Sequence, residues 1–192
     1  MNLVLDWDGT CTVRDSLVAA VHDLGDPGVY DLEFDSYGEA LAAEIATLDV
    51  TAEAAAAWAI EHVEVRPGFH ELVERYRPVI VSSGLPQLIL PVLQREGVEV
   101  EVRSNFAEPS PGGWRVRFRH DVPCPVCGDR CKRRSLPDER PIVFVGDGYS
   151  DRCASLACDR VFARDGLARY LDEQNVAYEP FDTLNDVAAA LS

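Results

Sequence analysis

The chain has 192 residues, 47% of them hydrophobic and 27% charged, which is typical of a single globular domain with room for an insertion. Its net charge of −15 disfavours a general nucleic-acid binder, because such a protein needs a basic surface for the phosphate backbone. No apolar run approaches the roughly 20 residues of a membrane span, and Asp6 interrupts the apolar start, so we expect neither a membrane anchor nor a secretory leader. We therefore expect a cytoplasmic protein, monomeric or homodimeric, whose partner is a small molecule rather than nucleic acid or a membrane.

Five short apolar runs predict strands, and the first three are continuously hydrophobic, as strands buried on both faces of a parallel sheet are. These runs are 3–5, 78–81, 142–145, 160–163 and 177–181. Helical patterns follow them at 68–77, 87–96, 151–157, 167–174 and 184–191. The alternation of strand and helix predicts an α/β protein built on a doubly wound parallel sheet.

Two segments interrupt this alternation. Residues 16–65 are rich in alanine and much longer than a simple crossover requires, so we interpret them as a helical lid over the strand ends. With its flanks, this segment divides the chain into a core of residues 1–14 and 67–192 and a helical cap of residues 15–66. Alternating residues at 98–103 and 114–119, separated by proline and glycine at 109–113, predict a β-hairpin.

Carboxylates stand where two of the predicted strands end. Asp6 and Asp8 follow the first strand, and Asp147 follows the third strand, with Asp151 four residues later. Ligands of open α/β sheets bind at the carboxyl ends of the strands, so parallel strands would bring these acids to one edge. Clustered acids need a positive partner, and hard oxygen ligands suit Mg²⁺. An aspartate can attack a phosphoryl group as a nucleophile, and a second one nearby can transfer protons.

The sequence resembles the haloacid dehalogenase superfamily of phosphatases through motifs that occur in the family's order. These motifs are DWDGT at 6–10, VIVSSG at 79–84, a lysine, and VGDGYSD at 145–151. The resemblance implies a Rossmann-like core with a helical cap, and Mg²⁺-dependent hydrolysis of a small phosphorylated metabolite through an aspartyl-phosphate. It implies that Asp6 is the nucleophile and a metal ligand, and that Asp8 is the acid–base and binds the metal through its backbone carbonyl.

Further roles follow from the same resemblance. Asp147 is a metal ligand, and Asp151 orients the site. The catalytic lysine of the family would be Lys132, which is the single lysine of the chain and lies between the second and third predicted strand ends. The residues implied to bind phosphate are Thr10, Ser82, Ser83, Gly84 and Lys132.

A cysteine-rich stretch precedes this lysine. Cys124 and Cys127 form CPVCG, which resembles half of a zinc ribbon, and Cys131 follows. Three interpretations stay open: Zn²⁺ at these cysteines, with a fourth ligand from His120 or a distant cysteine, a redox role, or a loop that only shapes the approach of Lys132. A segment ending in Cys-Lys also resembles the phosphoserine phosphatase-like branch, which includes the methylthioribose-salvage phosphatase and the phosphoethanolamine/phosphocholine phosphatase.

The predicted cap is strongly acidic, because residues 16–65 contain eleven acids and neither lysine nor arginine. Such a lid offers no cation for a substrate carboxylate, so we expect a neutral or cationic leaving group. Asp15 matches a position where phosphoserine phosphatases carry a glutamate that binds the substrate's amino group. The aromatic residues predicted to form a wall of the substrate site are Tyr30, Phe34, Tyr37 and Trp58. Two alternatives remain: phosphoryl transfer to an acceptor other than water, and a non-catalytic zinc- or partner-binding module on the same scaffold.

Overall fold

A computed structural model describes residues 1–110 and 112–192 of the chain. The strands are β1 (Asn2–Leu5), β2 (Val79–Val81), β3 (Glu101–Arg103), β4 (Phe106–Ser110), β5 (Gly113–Arg117), β6 (Ile142–Gly146), β7 (Arg160–Ala163) and β8 (Glu179–Pro180). The helices are α1 (Ser16–Leu24), α2 (Tyr37–Ala46), α3 (Ala52–His62), α4 (Phe69–Tyr76), α5 (Pro86–Arg95), α6 (Arg152–Ser155), α7 (Asp165–Glu173) and α8 (Leu184–Ala190). Within these ranges, no helix has both the length and the apolar character that crossing a membrane would require.

Six of the strands form one parallel sheet in the order β3-β2-β1-β6-β7-β8. In β1, Leu5 is in register with Ile80 of β2 and with Val145 of β6, so the carboxyl ends of these three neighbouring strands lie side by side. The prediction of an α/β fold with a doubly wound parallel sheet is confirmed. Strand order reverses between β1 and β6, and this is the place where open sheets of this kind bind ligands.

The sheet is covered on both faces, which explains why its central strands are continuously hydrophobic. Alternate residues of β1 point to opposite sides: Leu3 and Leu5 belong to one buried cluster, and Val4 belongs to the other. The first cluster continues through Phe69 of α4, and the second through Leu167 of α7. The central strands are therefore held from both sides, and so are the residues at their ends.

Of the four helices between β1 and β2, the first three lie within the segment that the sequence predicts to be a helical insertion. Each of these three begins at a side-chain cap, since Asp15, Ser36 and Thr51 accept hydrogen bonds from amides in the first turns of α1, α2 and α3. The insertion is not free-standing, because α3 packs against α5 and α2 packs against β5. The indole N–H of Trp114 in β5 also donates to the carbonyl of Val50, at 2.7 Å.

The predicted hairpin is present, but it forms from different residues. The antiparallel pair is β4 with β5, whereas residues 101–103 of the predicted first strand form β3, a parallel edge strand beside β2. The error has a physical cause: Val100 and Val102 pack against the core while Glu101 is exposed, and an edge strand with one solvated face alternates as a hairpin does. The middle of the predicted turn, Pro111, lies outside the described residues.

Candidate active site

Three carboxylates converge where β1 and β6 end. Asp6 directly follows β1, and its amide donates to the carbonyl of Val145 at 2.9 Å, which continues the hydrogen bonding between the two strands. Asp147 directly follows β6, and Asp151 lies in the short turn that leads into α6. Carboxylate oxygens of Asp6, Asp147 and Asp151 all lie within 4.8 Å of one another. The structure therefore brings together acids that are far apart in the sequence.

Lys132 is buried between two of these acids. Its Nζ contacts Oδ1 of Asp6 and lies 2.8 Å from Oδ1 of Asp151. Burial by itself disfavours a charged ammonium group, but Asp151 and Asp6 outweigh it and raise the pKa of Lys132 above its usual range. The lysine is thus held as a fixed positive charge next to the carboxylate that the sequence predicts to be the nucleophile.

Asp151 makes contacts that fix the loop after β6. While Oδ1 faces Lys132, Oδ2 accepts hydrogen bonds from the amides of Asp147 and Gly148, each at 3.0 Å. Both oxygens are therefore used within the protein, and the side chain is fully buried. Asp151 consequently determines where Asp147 and Lys132 stand relative to each other.

The electrostatics of the cluster show an excess of negative charge. Burial, followed by the charge of Asp151, raises the pKa of Asp6 well above its usual range, although Lys132 opposes the shift. The same two causes raise the pKa of Asp147 to about 6, against a hydrogen bond from Thr10. One lysine does not balance three acids, and their hard oxygen atoms lie within reach of a common point. This donor set fits Mg²⁺, which binds through one or two carboxylates and keeps water and phosphate oxygens as its other ligands.

Asp8 is oriented by Ser16, the first residue of α1. The Ser16 amide donates to Oδ1 of Asp8 at 3.0 Å, and the Ser16 hydroxyl contacts the same oxygen. On the other side, the Ser82 hydroxyl donates to Oδ2 of Asp8 at 3.4 Å. A Cβ atom on Gly84 would come within 2.7 Å of that oxygen, so a side chain at this position would displace the Asp8 carboxylate. The role of Ser16 was not predicted, because a serine at a helix start carries no signal beyond capping.

The residues predicted to bind phosphate are used in two ways. The Thr10 hydroxyl donates to Oδ1 of Asp147 at 2.7 Å, and the Ser82 hydroxyl accepts the Gly84 amide at 2.8 Å. These two hydroxyl groups therefore position other site residues. Ser83 and Gly84 line the cleft itself.

The acids open into a cleft of about 180 Å³ between the strand ends and the inserted helices. Its lining includes Asp6, Asp8, Asp15, Leu41, Glu44, Lys132 and Asp147, with the rings of Tyr37 and Tyr149. Asp15 is thus placed with the predicted catalytic residues. This volume lies below the roughly 300–1,000 Å³ of typical ligand pockets, so a small substrate is favoured.

The predicted aromatic residues are distributed differently from the expectation. Of the four, Tyr37 lines the cleft, where its ring lies 5.4 Å from that of Tyr149. In the described part of the chain, Tyr30 and Phe34 are not among the lining residues: Tyr30 stacks on His22 at 5.7 Å, and Phe34 is exposed. Trp58 stacks on His62, also outside this cleft. Aromatic spacing within the insertion does not reveal which ring faces the strand ends.

Trp7 anchors the loop DWDGT in the hydrophobic core. Its side chain is completely buried and meets the ring of Phe69 edge-on, with centroids 6.0 Å apart. Gly9 has a φ of +76°, and a Cβ atom there would come within 2.4 Å of Asp147. The tryptophan therefore anchors the loop in the core, and the glycine allows the loop to approach the end of β6.

Arg66 is a structural residue of this loop that the sequence did not reveal. Its guanidinium group donates to the carbonyls of Thr10 at 2.9 Å and Gly9 at 2.7 Å, and also to those of Thr12 and Val13. Another nitrogen donates to the carbonyl of Asp182 at 3.1 Å. A lone arginine at the end of an insertion has no sequence signature for such a role.

Replacing Arg66 with methionine is expected to lower the free energy of unfolding by about 3 kcal/mol, because several carbonyls lose a charged donor in a buried place. Urea unfolding followed by tryptophan fluorescence measures the effect. Arg115→Met, at an exposed arginine, is the matched control, and Arg66→Lys should fall between the two. A loss below about 0.5 kcal/mol for Arg66→Met would contradict this role.

No protein-family model matches the chain. The chain is 24% identical to 2-hydroxy-3-keto-5-methylthiopentenyl-1-phosphate phosphatase of Bacillus cereus. The alignment has 204 positions and covers 97% of this chain and 93% of that protein. The fold of this chain is similar to that of phosphoserine phosphatase in a phospho-aspartyl intermediate analogue, with a TM-score of 0.69, 14% identity, and coverage of 98% of this chain and 97% of the other.

A further similarity is to a HAD family hydrolase of Salmonella enterica serovar Typhi, with a TM-score of 0.67 and 14% identity over 94% of this chain and 67% of the other. At such identities the structural matches establish the fold, while the sequence match spans nearly the whole chain. The Bacillus cereus relative and the phosphoserine phosphatase are both phosphatases by name. The chain thus has the fold of the phosphoserine phosphatases and of a HAD family hydrolase, as the resemblance to the haloacid dehalogenase superfamily predicted.

Proposed function

We propose that this chain is a Mg²⁺-dependent phosphatase that hydrolyses a phosphomonoester of a small metabolite through an aspartyl-phosphate. The observation that carries the proposal is the convergence of Asp6, Asp147 and Lys132 in one cleft at the ends of β1 and β6. Support comes from the relatives, whose names describe phosphatases, one of them in a phospho-aspartyl intermediate analogue.

The proposed reaction has two steps. The Asp6 carboxylate attacks the phosphorus atom, a P–O bond forms to Asp6, and the bond to the leaving alcohol breaks while Asp8 protonates the departing oxygen. Asp8 then takes a proton from a water molecule whose oxygen attacks the same phosphorus, and the P–O bond to Asp6 breaks. Inorganic phosphate leaves, and both side chains return to their starting states.

The other residues support this chemistry. Mg²⁺ held by Asp6, Asp147 and the backbone carbonyl of Asp8 would offset the charge of the phosphoryl group and the attacking carboxylate. Lys132 adds a fixed positive charge beside Asp6, and Asp151 holds that lysine in place. The proposed phosphate-binding residues that line the cleft are Ser83, Gly84 and Lys132. Thr10 and Ser82 complete the proposed set from their places beside Asp147 and Gly84.

The proposal extends to the organisation of the protein. Residues 15–66 form the cap, and residues 1–14 with 67–192 form the catalytic core. We place the protein in the cytoplasm, as a monomer or homodimer, where its cysteines stay reduced. Zn²⁺ at Cys124, Cys127 and Cys131 would be structural rather than catalytic, because soft thiolates favour zinc while the reaction needs oxygen ligands.

The cleft favours a substrate whose leaving group is neutral or cationic. Apart from Lys132, the charged side chains that line it are acids, and Asp15 and Glu44 come from the inserted helices. These two acids would repel a substrate carboxylate. The substrate in the name of the Bacillus cereus relative is a phosphoester of a methylthiopentenyl group, which carries no carboxylate.

A panel of phosphate esters tests the function and the leaving-group preference together. With Mg²⁺ present, we expect phosphate release from p-nitrophenyl phosphate, and higher kcat/KM for phosphoethanolamine, phosphocholine or neutral enol phosphates than for phosphoserine. EDTA should abolish the release. Absence of turnover for every ester, with Mg²⁺ bound, would contradict a phosphatase. Alcohol release that exceeds phosphate release when a second alcohol is added would favour phosphoryl transfer instead.

Asp15 should make the binding of a cationic leaving group depend on pH. Burial and the charge of Asp8 raise the pKa of this carboxyl to about 7, despite the Val18 amide. A cationic leaving group binds the ionised form, so its KM should fall by about 10-fold from about pH 6 to about pH 8 as Asp15 loses its proton. Steady-state kinetics on phosphoethanolamine measures this change.

The control for this prediction is Asp15→Asn, which keeps a side chain suited to capping α1 but cannot ionise. In that variant KM should be high, and it should change with pH only through ionisation of the substrate's phosphate group. Glu33→Gln removes the same charge from an exposed position of the insertion and should behave as the unmodified chain. An unchanged pH profile in Asp15→Asn would remove Asp15 from the substrate site.

A further inference from the structure

Four cysteines meet next to the active site, although the phosphatase chemistry uses none of them. The Sγ atoms of Cys124, Cys127, Cys131 and Cys153 all lie within 4.8 Å of one another. The Sγ atoms of Cys124 and Cys153 are 3.9 Å apart, far beyond the roughly 2.05 Å of a disulfide bond. The fourth member, Cys153, is distant in the sequence from the other three and comes from α6.

We propose that these four cysteines bind one structural zinc ion, which ties the loop before Lys132 to the helix after Asp151. Zinc bound by four thiolates has Zn–S distances of about 2.3 Å in a tetrahedron, which places the sulfur atoms about 3.8 Å apart. The 3.9 Å between the Sγ atoms of Cys124 and Cys153 matches this spacing, and all four sulfur atoms lie within 4.8 Å of one another. The thiols bind as thiolates and release their protons to solvent.

The backbone around the first two cysteines has the shape of a metal-binding turn. The amide of Gly128 donates to the carbonyl of Cys124 at 2.8 Å, and the amide of Cys124 donates to the carbonyl of Asp129 at 2.7 Å. Gly128 has a φ of +76°, a conformation that suits glycine. This tight turn brings Cys124 and Cys127 to the same side.

The loop has little apolar packing of its own. Val122 and Val126, its two valines, are exposed, while Cys124 is almost fully buried against α6. A short loop without an apolar core gains its order from other bonds, and metal ligation is a strong source of such order. The neighbouring Arg133 offsets part of the thiolate charge, since its guanidinium group donates to the carbonyl of Cys153 at 3.1 Å.

Two functional elements depend on this loop. Asp129, between the second and third cysteines, accepts the amides of Tyr37 at 2.9 Å and Gly38 at 3.2 Å, and so caps α2 of the insertion. Lys132 directly follows Cys131, and Cys153 lies two residues after Asp151. One ion would therefore fix the lysine, its aspartate partner and the inserted helix whose Tyr37 lines the cleft.

Metal analysis of the full chain tests the proposal without any use of its activity. After purification in zinc-containing buffer and extensive dialysis, we expect about one zinc per chain in the unmodified protein and in Cys158→Ser, a control at a thiol outside the cluster. Cys153→Ser and Cys127→Ser should each retain far less. Because Cys127 is exposed, its replacement does not disturb packing and remains informative if Cys153→Ser fails to fold.

Two further measurements identify the ligands. Cobalt substitution should produce thiolate-to-cobalt charge-transfer absorption, which Cys153→Ser weakens, and titration of the thiols should release the zinc. Removing zinc with a strong chelator should lower Tm. Absence of zinc from the unmodified chain, a bound iron in its place, equal zinc in Cys153→Ser and Cys158→Ser, or a disulfide among these four cysteines would each overturn the proposal.

Discussion

Replacing Asp6 with asparagine is expected to lower kcat for phosphate release by about 10³-fold or more, because the amide cannot form the aspartyl-phosphate. The variant should fold, since Trp7 and the hydrogen bond to Val145 still hold the loop, and Lys132 keeps Asp151 as its partner. Its Tm should be no lower than that of the unmodified chain, because one of three crowded, buried acids has become neutral.

Steady-state turnover, together with mass spectrometry of the quenched enzyme, checks this prediction. The unmodified chain should show a mass increase of one phosphoryl group at Asp6 under quench conditions, and Asp6→Asn should show none. Asp31→Asn, at an exposed acid of the insertion, serves as a matched control with normal turnover. Substantial activity in Asp6→Asn would assign the nucleophile to another group.

Replacing Lys132 with methionine is expected to lower the free energy of unfolding by about 4 kcal/mol near neutral pH, because it leaves Asp6 and Asp151 buried without their positive partner. The loss should shrink as the pH falls, since burial raises the pKa of Asp6 and its protonated carboxyl no longer needs a positive partner. Activity should be lost as well, because the charge facing the phosphoryl group is gone. Urea unfolding at several pH values and turnover with Mg²⁺ measure these effects.

The control variants separate charge from packing. Arg134→Met removes a positive charge from an exposed position two residues away and should cost little. The double replacement of Asp6 by asparagine and Lys132 by methionine should be more stable than the sum of the single effects predicts, by about 1 kcal/mol or more. If Lys132→Met unfolds like the unmodified chain at every pH, the buried contacts do not stabilise the protein.

The sequence was sufficient to predict the sheet and its main elements for a simple reason. A strand buried on both faces must be hydrophobic throughout, and β1, β2 and β6 satisfy this condition. The edge strand β3 was misassigned because one of its faces is solvated, and alternation alone does not distinguish a parallel edge from a hairpin. The position of β4 was missed for a related reason, since its Pro109 and Ser110 suggested a turn instead of a strand.

Whether a site residue could be predicted from the sequence depends on how that residue acts. Residues at strand ends were identified because the chemistry demands carboxylates there, and Lys132 because it is the single lysine. Ser16 and Arg66 were missed because they act through hydrogen bonds to neighbours and leave no pattern in the chain. Cys153 could not be assigned to the cysteine cluster, because its partnership depends on where α6 is packed.

The placement of β1 in the middle of the sheet has a consequence for synthesis of the protein. β1 is made first, yet Val145, which pairs with Leu5, emerges from the ribosome much later, and Asp182, whose carbonyl binds Arg66, later still. Pairing across such sequence distances slows folding. A nascent chain therefore carries Asp6 without Asp147, Lys132 or Asp151 beside it. The clustered charge is assembled only once nearly the whole chain is available to hold it.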